Sequence, residues 1–155
     1  MFENIQIILM ILTVKELLGE ITEYNPCDGD WSFNPHSRRC YRLIDTDTKW
    51  PAGELACAFR GSHHISVHSP EENQFIREIS KGLGAIWLGA AEFGNATEYV
   101  WTDGTPFDFQ TWQYGVRPPY HRGKKCVKMN TRTGEWFQSC CKVPSPFICV
   151  KYAVY

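Results

Sequence analysis

The chain has 155 residues, and its 16 Lys and Arg against 17 Asp and Glu leave a net charge of -1, which gives no global field of either sign and by itself says nothing about nucleic acid. No nucleic-acid partner is expected. Its seven cysteines all lie from Cys27 to Cys149 and include no two CxxC pairs, which argues against the usual zinc pattern and against a reducing cytosol. A disulfide framework is the reading they favour.

In chain order, Ile5 to Val14 is an apolar stretch of the length of a signal-peptide core and too short to span a bilayer. The acidic Glu3, the lack of Lys or Arg before the stretch and the poor small-residue site near Leu17 to Gly19 leave an ordinary amphipathic helix as the alternative. Residues 1–19 are read as a signal peptide, 20–26 as a short N-terminal segment and 27–155 as one secreted, extracellular domain with no membrane span. Ser37 to Leu43 reads as an entering strand, and the spacing of Cys27 and Cys40 fits a hairpin tied by its own disulfide. From Lys49 to Arg60 a helix is expected, with Pro51 in its first turn, Trp50, Leu55, Ala58 and Phe59 on its apolar side, and Gly61 as the stop.

His64 to His68 alternates polar and apolar residues, as a short half-buried strand does. Ser69-Pro70-Glu71-Glu72 then starts a second helix: Ser69 caps, Pro70 suits the first position and Glu72 reaches back. Phe75, Ile76 and Ile79 form its buried side, and Lys81 to Gly84 ends it. Beyond that point helical spacing gives way to short apolar and aromatic runs separated by turn residues, so the fold class is α+β.

The chemistry-bearing candidates are few. His63, His64 and His68 invite a zinc reading, but in a strand His63 and His64 point to opposite faces and no Cys or acid completes the set. Glu71 and Glu72 resemble an acid-base pair, yet helix capping accounts for them. No Gly-x-Ser-x-Gly, His-Glu-x-x-His or phosphate-binding glycine loop occurs, and enzyme activity is not expected. Asn95-Ala96-Thr97 is an N-glycosylation acceptor in a Gly-containing turn. From Gln113 to Gly134 there are six Lys or Arg and no Asp or Glu, a local field that draws anions.

Trp87-Leu88-Gly89-Ala90, the run from Trp101 to Gly104, Phe109 with Trp112, Cys126, Trp136 with Cys141, and Pro146-Phe147-Ile148-Cys149 follow one another in a specific order and spacing. By these residues the chain resembles the C-type lectin-like domain family over about residues 27–151. The resemblance implies two helices, two small antiparallel sheets and a long irregular ligand loop, stapled by Cys27–Cys40, Cys57–Cys149 and Cys126–Cys141. In the family the second cysteine of the last pair lies five residues after the tryptophan and eight before the final cysteine, and Cys141 meets both counts from Trp136 and Cys149. Cys140 is then the odd thiol, either buried and unpaired or a covalent link to a second chain. Trp87, Trp101, Trp112 and Trp136 align with core or loop-anchoring positions.

Sugar-binding members hold a calcium ion in that loop with oxygen ligands. Here Arg117-Pro118-Pro119 stands at the ligand tripeptide, Phe137-Gln138 replaces the Asn-Asp pair, and the acid expected before Cys126 falls in Gly123-Lys124-Lys125. No calcium and no other cofactor are therefore expected, although Pro118 still matches a family proline that is often cis. In place of the metal stand Arg117, His121, Arg122, Lys124, Lys125, Lys128 and Arg132, interleaved with Tyr114 and Tyr120. Such groups suit sulfate, phosphate or carboxylate, so the implied function is a calcium-independent lectin for acidic glycans. The alternative is a toxin-like or immune-type subunit that engages a protein through the same loop; ice or mineral binding, or a solvated basic face without ligand, are the remaining readings.

Overall fold

The computed structural model describes residues 25–154, so the expected signal peptide lies outside the described residues. Strands β1 (Ser32–Asn34) and β2 (Arg39–Thr48) form the entering hairpin, closed by Cys27–Cys40. Helix α1 (Trp50–Ala58) begins as expected with Pro51 in its first turn, but its buried side is Trp50, Gly53 and Cys57. Leu55 and Phe59 are 56% and 81% exposed, and Ala58 is exposed too, contrary to the apolar side expected of them. The rotation of the helix is set by Cys57, which is bonded to Cys149. It is set again by Gly53, where a Cβ would lie 2.5 Å from His64 Nε2.

The strand expected from His64 to His68 pairs only as β3 (His63–His64), against Val150 and Cys149. Ile65, Ser66 and Val67 continue inward fully buried rather than half-buried, with the Ile65 amide donating to the Ile148 carbonyl at 3.0 Å. Helix α2 (Pro70–Ile79) has the expected cap, the Glu72 amide donating to Ser69 Oγ at 3.1 Å. The Glu72 carboxylate reaches back not to the Ser69 amide of a capping box but to the residue before it. Its Oε2 accepts from the His68 amide at 2.8 Å, and its Oε1 from Arg39 and from the Tyr41 hydroxyl, all in a buried cluster that Ser66 and Asp103 complete.

Strands β4 (Ala85–Ala91), β5 (Val100–Trp101), β6 (Cys126–Asn130), β7 (Trp136–Ser139) and β8 (Ser145–Tyr152) complete the fold. Two antiparallel groups are present, β1-β2-β8 with β3 and β4-β6-β7 with β5, and the parallel pairing of Trp87 with Phe147 joins them into one mixed sheet. Gly89 in β4 is required by close approach, since a Cβ there would lie 2.7 Å from the His64 carbonyl. One apolar core gathers Ile65, Val67, Ile76, Leu88, Trp101, Trp112 and Trp136; a second gathers Trp31, Trp50, Trp87 and Phe147 around the cystines. Cys57–Cys149 and Cys126–Cys141 form as the resemblance implied, and Cys140 is a half-buried free thiol.

Candidate functional site

The segment between Trp112 and Cys126 leaves the sheet as an irregular loop whose ends are anchored by aromatic packing. Trp136 is fully buried, and its ring meets Trp101, Phe109 and Trp112 edge-on at 5.6, 5.7 and 5.9 Å between centroids. The Trp136 amide donates to the Thr111 carbonyl at 2.8 Å, and Cys126–Cys141 closes the other end of the loop. The four tryptophans of the sequence motifs are thus core residues and offer no free face for a sugar.

Between the loop and β7 lies an open groove of about 450 Å³, whose walls include Tyr114, Val116, Arg117, Lys124, Phe137 and Gln138 and carry no carboxylate. Tyr114 is held at φ 64 and is 87% exposed, a sparsely populated backbone setting for a bulky residue presented to solvent. Gln138 Nε2 donates to the Pro119 carbonyl at 2.6 Å and fixes the proline pair against the sheet. The peptide bond before Pro118 is trans, not the cis form often found at the family position.

The basic residues divide into engaged and free. Arg117 Nη1 donates to Glu98 Oε2 at 2.6 Å and Nη2 to the Thr97 carbonyl at 2.8 Å, with the guanidinium 5.1 Å above the Tyr99 ring. Lys125 donates to the Gly94 carbonyl and lies 5.7 Å from the centre of the Tyr120 ring. At the loop tip His121 Nδ1 accepts from the Gly123 amide at 3.1 Å, leaving Arg122 and Lys124 exposed and outside any ion pair among the described residues.

Lys128 does not belong to this surface. It is 6% exposed, its Nζ lies 4.3 Å from the Trp87 ring centre, and burial lowers its pKa against the opposing pull of Asp47. Its place inside β6, paired with Trp87 of β4, turns the side chain away from the loop. Arg132 is separated as well, lying beyond the far end of β6. Glu98 and Thr97, which hold Arg117, were missed because nothing in local spacing joins residues about twenty positions apart. Glu92, buried beside them, has its carboxyl pushed up by desolvation and held down by Arg117 and Lys125.

A hard divalent cation does not fit these donors. The tripeptide position holds a guanidinium already bound to Glu98, Gln138 offers a single neutral amide oxygen while its nitrogen donates to Pro119, and Phe137 has no side-chain oxygen. The histidines do meet carboxylates, contrary to expectation: His63 at 2.7 Å and His64 at 3.7 Å both approach Glu54, while His68 meets Asp108 at 2.7 Å. No group of three His, Cys, Asp or Glu among the described residues is placed to hold a metal. Glu71 is exposed while Glu72 is buried in the Arg39 cluster, so the two carboxylates do not face a common site. Asn95 is exposed in a turn where the Ala96 amide donates to the Phe93 carbonyl at 3.0 Å.

The Lectin C-type domain profile matches residues 46–151, and the chain belongs to that family. Among individual proteins it is similar to the type-2 ice-structuring protein of Brachyopsis segaliensis, 31% identical over 83% of this chain and 74% of the relative. It is also similar to lymphocyte antigen 75 of Mesocricetus auratus, 28% identical over 81% of this chain but spanning only 7% of that relative's length. Of solved structures, a calcium-independent type II antifreeze protein superimposes with a TM-score of 0.75 at 30% identity, covering 83% of this chain and 95% of the other. The carbohydrate-recognition domain of cow CD23, determined with an oligosaccharide, gives 0.75 at 26% identity over 85% and 100%.

Proposed function

We propose that the protein is a secreted, calcium-independent C-type lectin-like binding module that takes acidic glycans on the groove between the long loop and β7. The observation that carries this reading is the makeup of that groove: Lys124, outside any ion pair among the described residues, on walls without a carboxylate, beside the exposed ring of Tyr114 and two residues from the equally free Arg122. The Lys124 ammonium and the Arg122 guanidinium supply charge-assisted hydrogen bonds to sulfate or carboxylate, and the tyrosine face supplies apolar contact for a sugar ring. Arg122 at the loop tip adds to the local field.

A glycan array, run with calcium and with chelator, tests it. Sulfated or uronate-bearing glycans are expected to bind equally under both conditions, and the double variant Arg122→Glu with Lys124→Glu to lose about tenfold in affinity. Binding that disappears on chelation, or that is confined to neutral sugars, rejects the reading. An array without any binder favours a protein partner at the same loop. The likeness to ice-structuring and antifreeze proteins motivates a second reading, adsorption to ice, although the strongly hydrated Lys124 ammonium beside the groove opposes it. Thermal hysteresis in the absence of glycan binding would select it.

A further inference from the structure

The cations that the sequence places in one basic run separate in space. Strand β6 holds five residues, about 16 Å at about 3.3 Å each, with Lys124 two positions before its first residue and Arg132 two positions past its last. At that far end Arg132 meets Arg77 of α2 and Lys81 of the segment that follows, around a groove of about 560 Å³ completed by Gln74, Glu78 and Thr131. None of the three cations enters an ion pair among the described residues. The acid on the wall, Glu78, accepts from Gln74 Nε2 at 2.9 Å.

Arg77 is built into place. Its Nη1 donates to Gln74 Oε1 at 2.7 Å and its Nη2 to the Arg132 carbonyl at 2.5 Å, tying α2 to the turn between β6 and β7. The side chain crosses that turn over Gly134, at φ 81, where a Cβ would lie 2.6 Å from Arg77 Cδ; only glycine leaves room for it. Its buried Nε has no hydrogen-bond partner, so the guanidinium charge is only partly answered by the protein. The C-terminal carbonyls of α2 oppose an anion there, but those of Ile76 and Glu78 already accept from the Ser80 and Lys81 amides at 3.1 and 3.4 Å.

We propose that this groove is a second anion-binding site, for a tetrahedral oxyanion ester, sulfate or phosphate, carried on a sugar. Three cations lining one groove suit a group with three outward oxygens better than a carboxylate with two, and a pre-ordered guanidinium loses little freedom on binding. The site does not rest on the loop reading.

Titration calorimetry on the disulfide-intact chain, with a sulfated heparin-derived tetrasaccharide and with mannose 6-phosphate, tests it. Lys81→Glu with Arg132→Glu is expected to weaken binding of at least one probe by about tenfold or more, and the probe affected identifies the ester. Lys49→Glu with Lys142→Glu, the same charge change at exposed positions elsewhere, is expected to alter it by less than about twofold. Equal losses in both pairs, or no loss in the first, overturn the proposal. The Arg132-dependent component is expected to survive Arg122→Glu with Lys124→Glu; if the loop pair removes all binding, the second site fails while the loop site stands. Thermal unfolding checks that each variant folds, and Arg77, packed on Gly134, is left unchanged for that reason.

Discussion

His64 lies fully buried between Trp50 and Phe147, with neither ring nitrogen hydrogen-bonded. Burial, and after it the neighbouring His63, drives its pKa from 6.5 down to about 3, so at neutral pH the approach of Nδ1 to Glu54 at 3.7 Å is not an ion pair. The unfolded chain takes up a proton near pH 6.5 that the folded chain refuses until about 3. The sign follows directly: this contribution to stability is complete above about pH 6.5 and falls as pH drops, by up to about 1.4 kcal/mol per unit. Urea unfolding between about pH 6 and 4 should show His64→Leu with a slope smaller by about one proton; an unchanged slope would contradict the assignment. Glu72 is the other decisive residue. Its local spacing identifies a cap partner, whereas its larger role, the buried pair with Arg39 from β2, depends on a contact 33 positions distant that no periodicity encodes. Glu72→Gln should cost about 3 to 5 kcal/mol in chemical denaturation, and Arg39→Met combined with Glu72→Leu should cost less than either single change.

At the scale of elements, the two helices differ in how plainly they could be read. Helix α2 carries its own signals, a Ser cap, Pro at the first position and apolar residues on one side, and these place its start and its buried Ile76 correctly. Helix α1 does not, because its orientation is dictated by a cystine and by the contact of Gly53 with His64. Leu55 and Phe59 are left facing outward. Leu55→Gln with Phe59→Gln should therefore change the unfolding free energy by no more than about 0.5 kcal/mol per site, where a buried pair would lose several. The groove had the same mixed legibility. The lack of a side-chain oxygen at Arg117, Pro119 and Phe137 is visible in the residue types, and so is the local excess of cations. Which cations are free is a matter of partners remote in sequence, and the strand pairing that buries Lys128 is equally remote.

For the molecule as a whole, the architecture was legible because its markers are covalent or aromatic: the cysteines, the tryptophans and Gly89 each mark a contact between distant segments. Cys57–Cys149 spans 92 positions, so in the chain-entropy model its loss removes about 4 to 5 kcal/mol; Cys126–Cys141 spans 15 and contributes about 3. Replacing Cys57 and Cys149 together by Ala should cost about 1.7 kcal/mol more than replacing Cys27 and Cys40, whose loop spans 13 positions, and so lower the urea midpoint further; equal effects would argue against the loop-length account. The parallel joint between Trp87 and Phe147 joins the two halves of the sheet.

Lys151 near the end of β8 reaches Asp28 at 2.8 Å, and the Ala153 amide donates to the Arg38 carbonyl at 3.3 Å. Entry and exit of the described polypeptide therefore share one corner. A short glycine-serine bridge across that corner could close the backbone into a ring, with fresh ends cut at the exposed Arg122-Gly123 step, and every strand pairing would remain available to the rearranged chain.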